Sequence, residues 1–116
     1  MKKLPRSFFS KQENIILSEL PKEQRLEAFF TCWTRKEAFI KAIGEGLSFP
    51  LDKFDVDLTT HEETKPLPIY IHARQVSSKT YSLYGLYPAK NYVAALAIDM
   101  LPYKIYSRRL VIEQIV

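Results

Sequence analysis

Cysteine is nearly absent from this 116-residue chain; Cys32 is the only one. That excludes an internal disulfide framework and a thiolate zinc cluster. Histidine is almost as scarce. His61 and His72 stand well apart, which argues against a His-rich metal cage. No apolar run approaches the roughly 20 residues that would span a bilayer. The basic start, Met1-Lys2-Lys3-Leu4-Pro5-Arg6, is not followed by a long apolar stretch and does not read as a secretory signal. The expected compartment is the cytoplasm. A strong charge of one sign is also missing: 17 Lys and Arg against 13 Asp and Glu leave +4. That suits a phosphate-bearing ligand or an acidic partner, but falls short of a nucleic-acid signature.

What is present is an ordinary globular balance, 47% apolar and 26% charged, at a length that suits one domain over residues 1–116. Ser10-Lys11-Gln12-Glu13 reads as a capping box, with Phe9 and Asn14-Ile15 placed for a hydrophobic staple. A short helix follows from Lys11 to Glu19, closed by Leu20-Pro21. Pro21 fits the first turn of a second, long helix that runs to about Ile43. Gly44 and Gly46 then stop it, one of them as a left-handed cap. After Pro50 the pattern turns to short alternating segments at 54–58, 69–75, 81–87 and 92–98. The tail at 103–116 is another strand, or a strand and a helical turn. The expected fold is α+β: one antiparallel sheet packed against one long and one short helix.

On a helical wheel Leu26, Phe29, Phe30, Trp33 and Ile40 fall within an arc of about 100°. Glu37 falls inside that apolar stripe, with Lys36 and Lys41 flanking it. A carboxylate on a core face is costly unless paired or bound to a cation. Two readings stand. Glu37 and Lys41 can form an ordinary i, i+4 pair on a wet helix edge. Alternatively, Glu37 is a hard oxygen ligand for Mg²⁺ at a cleft, with Lys36 and Lys41 holding phosphate oxygens.

Around Glu37 the chain carries Trp33, Lys36, Glu37, Ala38 and Lys41, followed by Gly44, Gly46 and Leu47. This closely resembles the signature of the 4′-phosphopantetheinyl transferases of the Sfp type, Trp-x-x-Lys-Glu-(Ala/Ser)-x-x-Lys with a Gly-x-Gly-Leu turn. Phe8-Phe9-Ser10 with Glu13, and the run from Leu47 to Phe54, resemble that family's flanking segments. The resemblance implies transfer of the phosphopantetheine arm of coenzyme A to a serine of a carrier protein, with Mg²⁺ required and adenosine 3′,5′-bisphosphate released. It implies that Glu37 is a metal ligand or a base near the metal, that Lys41 contacts the coenzyme A phosphates, and that Lys36 is their neighbour. Trp33 is expected to anchor the helix in the core.

The same comparison exposes a gap. The family's other metal carboxylates lie on an Asp-x-Glu strand upstream of the Phe-Phe-Ser segment, and here no Asp or Glu precedes Glu13. The chain therefore looks like the C-terminal half of a two-half enzyme, with the N-terminal half supplied in cis or in trans. Asp55 and Asp57 alternate on a predicted strand, where they read as a solvated edge or a turn-proximal pair, and Asp99, at a strand end, reads as a turn residue. His72 and His61 read as surface or satisfied histidines, and Cys32 as a small packing residue. Lys104, Arg108 and Arg109 form a basic tail that could attract an acidic carrier protein. A second reading is a non-catalytic module that docks a carrier protein or a second subunit, with self-association through apolar surface. A third, ranked below both, is a nucleic-acid module that stacks bases on Tyr70, Tyr81, Tyr84, Tyr87 and Tyr92.

Overall fold

The computed structural model describes residues 8–44, 50–71, 81–99 and 108–115. Helix α1 spans Lys11–Glu19 and α2 spans Lys22–Ile43. A short 3₁₀ turn at Leu51–Lys53 leads into strand β1, Phe54–Val56. Strand β2 is Ile69–Ile71, β3 is Tyr81–Leu86, β4 is Tyr92–Asp99 and β5 is Arg108–Gln114. The protein is α+β, and the tail resolves to a strand at β5. His72, Lys104, Gly46 and Leu47 lie outside the described residues.

The helix ends follow from local chemistry. The Ser10 hydroxyl accepts from the Glu13 N–H at 3.1 Å, and the Glu13 carboxylate accepts from the Ser10 N–H at 2.9 Å. The hydrophobic staple does not form. Phe9 turns inward to the Phe29 ring at 5.3 Å, Ile15 is exposed, and the Asn14 side chain donates to the Ser10 carbonyl. Arg25 donates from the first turns of α2 back to the Leu20 and Ser18 carbonyls, tying the end of α1 to α2. Gly44 closes α2 at φ 77°, the left-handed geometry that glycine adopts without a Cβ clash.

Among the described residues the strands pair antiparallel as expected, β1 with β2, and β3-β4-β5 in that order. A lone bridge between Leu67 and Leu83 links them. Side chains take part of the free edge of β1. Its Val56 N–H donates to Glu13 at 2.8 Å, and its Phe54 carbonyl accepts from Lys36 at 2.6 Å. These groups are therefore not available to a further strand.

The face that α2 buries differs from the expected stripe. It packs chiefly on β4 and β5. Many of the buried apolar residues of α2 are small, Ala28, Cys32, Ala38 and Ala42, with Phe39 among them. These lie roughly opposite Trp33 on the wheel, at about 100° per residue. Of the expected stripe Ile40 is buried, Trp33, Phe29 and Phe30 are half-buried and Leu26 is exposed. Trp33 is covered from the side by the edge of Phe8, ring centroids 5.3 Å apart. It therefore flanks the core rather than anchoring its centre.

Candidate functional site

Rotation by one residue along α2 separates two neighbours completely. Lys36 turns inward, and its ammonium meets the Glu13 carboxylate at 2.7 Å, with both side chains sealed from solvent. It also donates to the Phe54 carbonyl and lies 4.1 Å from the centre of the Phe54 ring. Glu13 thereby accepts from the Ser10 N–H, the Lys36 ammonium and the Val56 N–H. This network joins α1, α2 and β1. It places Lys36 in the interior, with its ammonium held by Glu13 and the Phe54 carbonyl.

Glu37 points the other way. Its side chain is 27% exposed, and Lys41, one turn on, is 53% exposed with its ammonium 3.5 Å from the Glu37 carboxylate. A carboxylate and an ammonium thus share the accessible flank of α2. They sit next to Trp33 in the wheel order and face away from the sheet. At this spacing each can exchange its partner for a ligand at small cost, because an exposed i, i+4 pair contributes only a few tenths of a kcal/mol, about 0.3–0.5. Among the described residues, no group of three or more His, Cys, Asp or Glu is placed to hold a metal. Glu37 offers one oxygen donor group and not a cage.

Two further polar centres lie elsewhere. The Arg35 guanidinium is buried and donates to the Asp57 carbonyl at 2.8 Å, the Thr60 carbonyl at 2.9 Å and the Tyr87 hydroxyl at 3.3 Å. Burial lowers the Arg35 pKa, opposed by Tyr87 and Asp57. Burial also raises the Tyr87 hydroxyl, opposed by Arg35. Tyr87 stacks flat on His61, ring centroids 4.9 Å apart. Asp57 accepts from the Thr59 and Thr60 N–H groups and closes a turn, so it is not a partner for Asp55 in a metal site. Asp99 ends β4. A cavity of about 280 Å³ opens between the start of α2 and the Leu58–His61 segment, lined by Glu23, Glu27 and Thr31 among others. Neither Glu37 nor Lys41 lines it.

Sequence reasoning missed Arg35 and understated Glu13. Arg35 occupies a variable position of the signature, so nothing marked it. Glu13 was legible only as a cap, since a local capping role already accounted for its carboxyl.

The structure defines an α+β unit in which a long helix over an antiparallel sheet presents an acid–amine pair on its open flank. Residues 1–97 match the sequence model of the 4′-phosphopantetheinyl transferase superfamily, and the chain belongs to that family. It is 36% identical over 98 residues to the 4′-phosphopantetheinyl transferase HetI of Nostoc sp., covering 84% of this chain and 37% of that protein. It is 44% identical over 55 residues to Sfp of Bacillus subtilis, covering 47% of this chain and 25% of Sfp. With the transferase gsp of Aneurinibacillus migulanus it shares 32% identity over 75 residues, 60% of this chain and 32% of gsp. The matched part of the chain thus spans between a quarter and somewhat over a third of each of these relatives. No helix among the described residues is long and apolar enough to cross a membrane.

Proposed function

We propose that this chain serves the Mg²⁺-dependent transfer of the 4′-phosphopantetheine arm of coenzyme A to a serine of an acyl or peptidyl carrier protein in the cytoplasm. The observation that carries the reading is the Glu37–Lys41 pair, 3.5 Å apart on the open flank of α2 and inside the stretch that matches the family signature. Glu37 is assigned as one oxygen ligand of the metal, and Lys41 as the ammonium that meets the diphosphate oxygens. Mg²⁺ takes one or two carboxylates and fills its other positions with substrate phosphates and water, and it would supply charge neutralisation there. Lys36 is assigned a positioning role, because its ammonium is already held by Glu13 and the Phe54 carbonyl.

In the reaction the serine oxygen bonds to the β-phosphorus as its hydroxyl proton passes to water. The bond from that phosphorus to the bridging oxygen breaks, and adenosine 3′,5′-bisphosphate leaves. Lys41 stabilises the charge that grows on the leaving phosphate. The remaining acidic ligands come, in this reading, from a second half of the site, in the same polypeptide or in a separate subunit. The share of each relative that the chain covers supports this division.

The test is incubation with coenzyme A, Mg²⁺ and an apo carrier protein, read by intact mass. The chain is run alone and together with a separately produced N-terminal half of a full-length relative. Conversion only in the mixture, lost with E37Q and weakened with K41M, supports the reading. Efficient conversion by the chain alone overturns the division of the site. Conversion that E37Q leaves unchanged overturns the assignment of Glu37.

A further inference from the structure

Strand β5 lies at the edge of its sheet, paired with β4 through an unbroken register from Tyr92↔Gln114 to Ile98↔Arg108. Among the described residues no strand pairs with its other side. Edge strands are usually blunted by proline, a bulge, short length or charged side chains, and β5 carries charges at Arg108, Arg109 and Glu113. This one is seven residues long, has no proline and keeps a continuous ladder. Val111 is buried, whereas its neighbours Leu110 and Ile112 are 56% and 52% exposed. Two large apolar side chains thus stand on an open edge.

We propose that two copies of this chain pair through that edge, antiparallel about Val111, into one sheet with three strands from each copy. The order of residues carries the assignment: Arg108-Arg109-Leu110-Val111-Ile112-Glu113-Gln114 is self-complementary when reversed. A two-fold axis perpendicular to a sheet keeps every residue on its own face. The axis through Val111 sets Arg109 opposite Glu113 of the second copy, and Glu113 opposite the second Arg109. Leu110 meets Ile112 in both directions, and Arg108 meets Gln114. Shifting the axis to Leu110 sets Arg109 against Val111, and shifting it to Ile112 sets Val111 against Glu113. Only the central register pairs opposite charges with each other and apolar residues with each other, which are the cross-strand combinations that stabilise a sheet. The backbone N–H and C=O groups of the free edge pair in the same act, as in strand addition. The pairing is independent of the transferase reading.

The test is sedimentation velocity of the 116-residue chain over a range of loading concentrations, with circular dichroism to check folding. The wild type is expected at twice 13.5 kDa. R109E sets a glutamate against Glu113 at both places, and E113R sets an arginine against Arg109 at both, so each variant alone is expected at half the dimer mass. Mixing the two variants restores opposite charges at both places and should restore the dimer. A wild type that stays at 13.5 kDa at every concentration overturns the proposal. So does a dimer that both folded variants leave intact, or a mixture of folded variants that stays monomeric. Where a variant fails to fold, hydrogen exchange on the wild type decides. Protection of β5 amides that rises with concentration supports the pairing, and protection that does not change overturns it.

Discussion

The Lys36 ammonium and the Glu13 carboxylate meet at 2.7 Å between α2 and α1, with solvent excluded from both. Glu13 also holds the Val56 N–H, and Lys36 also holds the Phe54 carbonyl, so one ion pair fixes two helices and a strand. Such a pair is costly to desolvate and recovers that cost only when further hydrogen bonds support it. Here Glu13 accepts three hydrogen bonds and Lys36 donates two.

Removing one member should therefore cost far more than removing both. K36M leaves a buried carboxylate without its cation, and we expect a loss of about 3–5 kcal/mol in urea unfolding. The double variant E13Q/K36M should lose clearly less than the sum of its single variants. Additive losses would mean that the two groups act separately.

Gly85 on β3 is expected to tolerate no side chain. A Cβ there would press into the Arg35 guanidinium, with Cζ 2.8 Å and Nε 2.9 Å away. That group is held by the Asp57 and Thr60 carbonyls and by Tyr87 and cannot move aside cheaply. G85A should cost about 1–3 kcal/mol, the range for overpacking. In an R35A background the same change should cost much less, which a double-mutant cycle measures.

The Cys32 thiol should be inert in the native state. Burial foremost, then the charge of Glu13, pushes its pKa well above the ordinary range. A thiol-reactive dye should label the folded chain at neutral pH far more slowly than the chain in denaturant. The sign for stability follows from the raised value. The unfolded thiol ionises first, so this contribution is complete below the ordinary thiol range and falls as pH rises through the folded value. C32A should flatten that alkaline slope.

Asp57 should act at the acid end. Burial alone would raise its carboxyl, but the Thr60 hydroxyl and the Thr60 and Thr59 N–H groups outweigh burial, with Arg35 adding to them. The net pKa lies below the usual carboxylate range. Its contribution is therefore present above that range and lost as pH falls through the depressed value. D57N should reduce the slope of stability against pH in that window, followed by thermal melts. An unchanged slope would place the acid sensitivity elsewhere.

Much of the fold was legible in the sequence. The capping box at Ser10, Pro21 and Gly44 mark the helix limits, because caps are short-range chemistry. The inward face of α2 was not legible. A wheel weighted by large apolar residues follows Trp33, Phe29 and Phe30, whereas close packing on a sheet selects small residues such as Ala28, Cys32, Ala38 and Ala42. The occupation of the free edge of β1 was hidden for a related reason: the groups that fill it belong to Glu13 and Lys36, far away in sequence. Within the signature, spacing singled out Glu37 and Lys41 and the structure leaves both accessible, while the inward turn of Lys36 depends on a partner that no local pattern reveals.

The anchoring of Lys36 also sets the roll of α2 about its own axis. With that side chain pinned, the next residue has one bearing only, and Glu37 inherits it with Lys41 as its ion-pair partner. Evolution or an engineer can thus exchange the outward acid for another group while the scaffold stays standing, because the part that holds the helix still is the inward lysine and not the outward acid.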